Sequence, residues 1–258
     1  VYRMFSFLAF GNELEIAYWM NVGSAVFSGF TILFLFWSIT LFGRKLFKIQ
    51  EGQESKGETI SLMGAGIVGS LIYTFSDSFW FSAVEAEVYA MSSFFTAIVI
   101  WAVLKWDVVK DPREENKWMI LIAYLVGLSI GVHLLNLVTL PALALIYYFK
   151  KYEKPNLKGA VIAFFFGGVA LVIINNFIIP GLPSLAGSTE IFFVNSLGLP
   201  FGSGIIFFSL AFFAILFVAY RYSRNKALAG LNTILLSLIF ILIGYSSYAL
   251  IVIRANQD

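Results

Sequence analysis

The sequence contains no cysteine, one histidine and six prolines, and only 12% of its residues are charged. The absence of cysteine excludes disulfides, thiolate catalysis and cysteine-based metal sites. One histidine cannot build a histidine-rich metal centre, and the residue pattern gives no support for a divalent metal held by carboxylates. Because soluble domains carry about 25% charged residues, the composition also excludes an ordinary soluble domain.

Apolar residues are what the sequence has in abundance. They make up 60% of the chain, with 28 phenylalanines and a mean hydropathy of +0.87. Apolar runs long enough to cross a hydrocarbon core about 30 Å thick recur along the whole length. The sequence therefore predicts an all-α, polytopic helical membrane protein. We expect about eight transmembrane helices, at 17–43, 59–76, 89–105, 118–135, 137–149, 159–179, 204–220 and 227–247.

Almost all of the 17 Lys and Arg residues lie in four of the predicted connections, at 44–58, 105–117, 150–158 and 221–226. These basic connections alternate with connections nearly free of Lys and Arg: 77–88, the corner near 133–138, and 180–203. The positive-inside rule places the basic set in the cytoplasm. The other set should then face the periplasm or lumen, in a multi-pass membrane protein. We expect the protein to contact the lipid bilayer and not to bind nucleic acid.

Three carboxylates, Asp77, Glu85 and Glu87, stand in the first of the outer connections beside aromatic residues and without a local basic partner. This stretch is expected to form an interfacial helix on the outer face that runs into the span at 89. On such a helix Asp77 and Glu85 share a face, roughly 12 Å apart along the axis. Glu85 and Glu87 point about 200° away from each other, and both could line one pocket only if the helix broke between them. Plain solvation is the alternative interpretation of all three.

Three further polar residues predicted on the outer side, His133, Arg3 and Arg254, are candidates for contacting a phosphate or a sugar. His133 either donates a hydrogen bond to such a ligand or forms an interhelical hydrogen bond with Asn136. Arg3 and Arg254 are the only basic residues assigned to this side. A guanidinium suits a lipid-linked phosphate, although an arginine beside a span can also simply reach its charge into the headgroup region.

Three segments together resemble a known membrane family: TFSDSFWFSAVEAEVY at 74–89, GLSIGVHLLN at 127–136 and GYSSYALIVIRAN at 244–256. This Bacteroidetes-type family, formerly of unknown function, is similar to protein O-mannosyltransferase-like proteins and is grouped with the GT-C glycosyltransferases. The resemblance implies a GT-C fold whose active site faces the periplasm or lumen. It implies transfer of a sugar, with mannose the candidate, from a polyprenyl-phosphate donor to a Ser or Thr hydroxyl of an exported protein. No other cofactor is implied.

The resemblance also suggests roles for the candidate residues. Glu87, Asp77 and Glu85 become the catalytic carboxylates, with Glu87 preferred because the segment 86–89 is the part that the family shares most widely. Arg254, Arg3 and His133 become contacts of the donor phosphate, and Asn136 becomes a supporting polar residue.

In that family the usual catalytic acid lies in the first external loop, after a first transmembrane helix. We therefore expect residues 1–258 to be one transmembrane domain and a fragment, lacking that helix, part of that loop and a C-terminal soluble region. Two alternatives to an enzyme stay open: a transporter or flippase for a lipid or small solute, and a non-catalytic membrane subunit. The sequence shows no convincing internal repeat, which weakens the transporter alternative.

Overall fold

The computed structural model describes the backbone of residues 2–50 and 52–248, and the side chains of that range apart from residues 2, 3, 229 and 248. These residues form helices and connecting segments without a β-strand, which confirms the all-α class. The α-helices are α1 (Tyr2–Ser6), α2 (Ile16–Leu46), α3 (Lys56–Thr74), α4 (Asp77–Val84), α5 (Val88–Val108), α6 (Pro112–Ile130), α7 (Leu140–Lys151), α8 (Leu157–Ile173), α9 (Gly181–Ile191), α10 (Ser203–Asn225) and α11 (Ala229–Tyr245).

Five helical stretches within the described residues are long and apolar enough to cross a membrane, and the bent pair α3–α4 brings the number to six. The five stretches are Glu13–Leu46, Val88–Val108, Leu134–Lys151, Leu157–Ser196 and Ser203–Asn225. The spans predicted at 118–135 and 227–247 correspond to α6, whose first turn carries two glutamates, and to the shorter α11. A multi-pass membrane protein is therefore confirmed.

The described residues cluster into two compact units: the first consists of residues 2–136 without residue 51, together with 244–248, and the second is Leu137–Ile243. In the first unit α2 packs against α3 and α5, and α5 packs against α6. The face of α2 at these contacts carries the small buried residues Ser24, Ser28, Thr31 and Ser38. The hydroxyls of Thr31 and Ser38 donate to carbonyls of their own helix, at 2.9 and 2.8 Å. Small side chains allow close helix approach, and hydroxyls satisfied in this way can be buried at little cost.

Close helix contacts in the first unit occur at several glycines, among them Gly66 and Gly244. A Cβ at Gly66 would lie 2.7 Å from the ring of Phe36, so α3 meets α2 closely at that point. A Cβ at Gly244, near the end of α11, would lie 2.5 Å from the backbone nitrogen of Leu128 and 2.6 Å from the carbonyl oxygen of Tyr124. Backbone therefore packs directly on backbone where Gly244 meets α6.

In the second unit α7 packs against α8, and α9 against α10. The connection predicted at 180–203 is mostly helical here, because the helical stretch that begins at Leu157 continues to Ser196 through two π-helical turns. The carboxylate of Glu190 accepts hydrogen bonds from the backbone N–H groups of Gly202 and Ile205, at 2.5 and 2.9 Å. It thereby satisfies donors at the start of α10 that have no partner within the helix.

Candidate functional site

The helix predicted between Asp77 and the span at 89 is interrupted at residues 85–87. Helix α4 ends at Val84 and α5 begins at Val88. Glu85 and Glu87 have extended backbones, with φ and ψ of −113° and 136° and of −108° and 174°. The N–H of Glu87 donates to the carbonyl of Glu85 at 2.8 Å, as in a γ-turn. The expected continuous helix was therefore wrong, and the 200° separation of the two carboxylates does not apply.

Two side chains of α2 hold this break in place. The N–H of Ala86 donates to Asn21 Oδ1 at 3.0 Å, and Ser24 Oγ donates to the carbonyl of Ser82 at 2.9 Å. Helix ends leave backbone donors and acceptors without partners, and such groups are costly close to lipid. Asn21 and Ser24 supply those partners from the neighbouring helix. The sequence analysis missed both, although polar residues inside an apolar span commonly mark hydrogen bonds within a bundle.

Replacing Ser24 by alanine should loosen the break. Ser24 is fully buried, so the change removes a donor from a carbonyl that water reaches poorly. We expect the unfolding free energy to fall by about 1 kcal/mol, measured as a lower thermal unfolding midpoint in detergent. The exposed Ser61 of α3 provides the matched control, since Ser61→Ala should leave the midpoint unchanged. Equal midpoints for both variants would show that the Ser24 contact does not hold the break.

His133 lies beside the break. Its ring packs against that of Tyr89, two residues after Glu87, with the ring centroids 5.8 Å apart and the planes at 51°. Its Nδ1 accepts a hydrogen bond from the N–H of Leu135 at 3.1 Å. In the neutral imidazole the proton is then on Nε2, which is the atom that can donate to a ligand. The structure thus brings Glu85, Glu87 and His133 to the same end of the first unit.

Asn136 holds the turn that carries His133. It is fully buried, and its Nδ2 donates to Ser129 Oγ at 2.8 Å. Ser129 Oγ in turn donates to the carbonyl of Val126 at 2.6 Å. These bonds connect the segment after α6 back to the last turns of that helix. The geometry fits Asn136 as a supporting residue that positions its neighbours and does not itself face a ligand.

The other predicted site residues are not gathered at this place. Asp77 is exposed in the first turn of α4, roughly 12 Å from the break along the helix axis at 1.5 Å per residue. The backbone of Arg3 belongs to α1, and its side chain lies outside the described residues, as does all of Arg254. Across the described part of the chain, no three His, Asp or Glu side chains lie close enough together to hold a metal ion.

A further carboxylate is fixed at the same end of α2. Glu15 precedes that helix, accepting from Asn12 Nδ2 at 3.0 Å and from Trp19 Nε1 at 3.4 Å. It lies about 9 Å along the helix axis from Asn21. This end of the first unit therefore carries several carboxylates.

Exposed aromatic rings flank the break. Trp80 stacks on Phe75, with ring centroids 5.9 Å apart and planes at 18°, and remains about half exposed, as does Tyr89. Flat exposed rings of this kind can pack against a sugar or sit at the level of the lipid headgroups. The site thus combines carboxylates, an imidazole donor and aromatic surfaces.

These features define a multi-pass membrane protein with a polar site at one end of its first helical unit. The family model described as the protein O-mannosyl-transferase TMEM260 N-terminal domain matches residues 1–156, and the chain belongs to that family. No curated protein matches the chain, and no solved structure does. The family match confirms a mannosyltransferase-like relationship and supports a glycosyltransferase-like role. The matched range contains every candidate residue except Arg254.

Proposed function

We propose that the chain acts as a GT-C-type glycosyltransferase at the periplasmic face of the bacterial inner membrane. It transfers a hexose, with mannose the first candidate, from a polyprenyl-phosphate donor to a Ser or Thr hydroxyl of an exported protein. The observation that supports this most is the break at residues 85–87, which carries two carboxylates and directly precedes the helix start where Tyr89 contacts the ring of His133, all within the range that the family matches.

The proposed reaction needs two kinds of group. A carboxylate takes the proton of the acceptor hydroxyl while the hydroxyl oxygen bonds to the anomeric carbon of the donor sugar. Glu87 is preferred for this role over Glu85 and Asp77. The bond between that carbon and the donor phosphate oxygen breaks, and the leaving polyprenyl phosphate keeps the electron pair. Hydrogen-bond donors stabilise the charge on the leaving phosphate. His133 Nε2–H serves this purpose, with Arg254 and Arg3 as further cations.

The donor class can be tested with the full-length protein in proteoliposomes and a Ser- and Thr-containing peptide. We expect transfer of labelled hexose from a polyprenyl-phosphate hexose and none from the corresponding nucleotide sugar. A peptide with alanine at every hydroxyl position is the control. Movement of the lipid-linked sugar across the bilayer without any peptide labelling would contradict the proposal and favour a flippase.

His133→Phe should slow transfer, and it should lower stability only a little, because the N–H of the exposed Leu135, which loses its Nδ1 acceptor, can bond to water instead. Phenylalanine keeps a ring against Tyr89 but removes the donor at Nε2. A hydrogen bond to a charged group contributes about 1.5–3 kcal/mol, so transfer should fall by about tenfold to a hundredfold. The initial rate of transfer at saturating donor measures the loss. The thermal unfolding midpoint of the variant checks that it is folded. An unchanged rate would remove His133 from the site.

A further inference from the structure

A cavity of about 420 Å³ lies in the first unit, among helices α2, α3 and α5. Its lining includes Arg44 near the end of α2 and Lys105 near the end of α5, so it lies at the ends of the helices that lead into basic connections. The break at residues 85–87 precedes α5, whereas Lys105 is in the last turn of that helix. The cavity is therefore a helix length away from the candidate active site.

The walls of the cavity are apolar and aromatic. They include Phe36, Trp37 and Trp101, and the rings of Trp37 and Trp101 are 5.8 Å apart between centroids. Leu41, Leu62 and Met63 add aliphatic surface. A volume of this size is within the roughly 300–1,000 Å³ typical of small-molecule sites, which are mostly apolar with a few polar groups. The lining suits the apolar part of an amphiphile.

The charged groups of the lining leave one positive charge uncompensated. Arg44 Nη2 pairs with Glu54 Oε1 at 2.9 Å, so those two charges neutralise each other. Lys105 is half-buried, and it forms no ion pair with any residue that the structure describes. Its neighbour along the helix, Asp107, is already paired with Lys45 of α2. Lys105 thus lines an aromatic cavity whose one acidic residue, Glu54, is already paired with Arg44, and Lys105 has no ion-pair partner among the described residues.

From this combination we infer that the cavity binds an anionic phospholipid of the leaflet next to the basic connections. The lipid phosphate pairs with Lys105, and the start of an acyl chain lies along Trp37, Trp101 and Met63. Basic pockets between transmembrane helices are known to hold anionic headgroups, and interfacial tryptophans favour the same depth in the bilayer. The site is separate from the proposed transfer reaction and does not depend on it.

Native mass spectrometry of the full-length protein in detergent, titrated with phosphatidylglycerol or with phosphatidylcholine, tests this inference. We expect one phosphatidylglycerol to bind more tightly than phosphatidylcholine. Lys105→Gln should weaken that binding on the order of fivefold, as expected for one cation near the headgroup, while Lys105→Arg keeps it. Lys110→Gln is the matched control, because Lys110 is an exposed lysine of the same connection that does not line the cavity.

The inference is overturned if Lys105→Gln and Lys110→Gln weaken phosphatidylglycerol binding equally, or if neither changes it. Glycerol phosphate, the soluble headgroup without acyl chains, separates a lipid site from a phosphate site. It should bind far more weakly than the lipid. Binding as tight as that of phosphatidylglycerol, with the same loss in Lys105→Gln, would overturn the assignment to a lipid. None of these readouts uses the transferase activity, so failure of the lipid site leaves the proposed function untouched.

Discussion

Replacing Glu87 by glutamine is expected to slow hexose transfer to a peptide by at least a hundredfold. Glutamine has nearly the same shape as glutamate but cannot take a proton from the acceptor hydroxyl, and general-base catalysis contributes about 10²–10⁴-fold. Glu87 directly precedes α5 in the extended break, so the substitution disturbs no helical turn. The initial rate of transfer from the polyprenyl-phosphate donor measures the effect.

Two matched variants make this prediction specific. Glu153→Gln changes an exposed carboxylate in the basic connection after α7 and should transfer at the wild-type rate. Glu85→Gln tests the other carboxylate of the break, and we expect it to lose less activity than Glu87→Gln. If Glu87→Gln keeps the wild-type rate, or if Glu85→Gln is the slower of the two, Glu87 is not the base.

The second large effect is expected on stability, from Gly244→Ala. The added Cβ would meet backbone atoms of Leu128, Tyr124 and Gly127 at 2.5–2.7 Å, and backbone cannot move aside as a flexible side chain can. Overpacking costs about 1–3 kcal/mol or more, and this contact should reach the upper end of that range. A lower thermal unfolding midpoint in detergent, together with a smaller folded fraction after purification, would show it.

Gly230, in the same helix α11, provides the control. A Cβ there would meet no atom within 4 Å, so Gly230→Ala should be neutral or should stabilise the helix by up to about 1 kcal/mol. The comparison removes the general effect of replacing a helical glycine. Equal unfolding midpoints for the two variants would mean that Gly244 does not pack on α6 as the structure has it.

Features that depend on local sequence were predictable, and the helical spans are the main example. The apolar runs at 17–43 and 89–105 correspond closely to α2, Ile16–Leu46, and α5, Val88–Val108. Hydropathy over about twenty residues decides whether a helix can cross a bilayer, and that quantity can be read directly from the sequence. The resemblance of three short segments likewise indicated the family that residues 1–156 match.

The break at residues 85–87 could not be predicted in the same way. The segment Glu85–Ala86–Glu87 contains no glycine or proline that would signal a break. The backbone groups at the break bond instead to distant side chains: Ala86 to Asn21, 65 residues away, and Ser82 to Ser24, 58 residues away. The pairing of Tyr89 with His133 also comes from tertiary packing. Sequence reasoning therefore named the carboxylates and the imidazole, but only the packing of α5 against α2 and α6 shows that they share one end of the first unit. Their roles stay predictions, as do those of Arg3 and Arg254.

The central claim, transfer of a hexose to a Ser or Thr hydroxyl, is tested most directly by measuring the intact mass of the acceptor peptide. The full-length protein is incubated with a polyprenyl-phosphate hexose and a Ser- and Thr-containing peptide, and the intact mass of the peptide is then measured. The account predicts a gain of one hexose, located on a Ser or Thr by fragmentation and absent from the alanine-substituted peptide. A peptide of unchanged mass, with folded protein and intact donor in the same sample, would contradict the account.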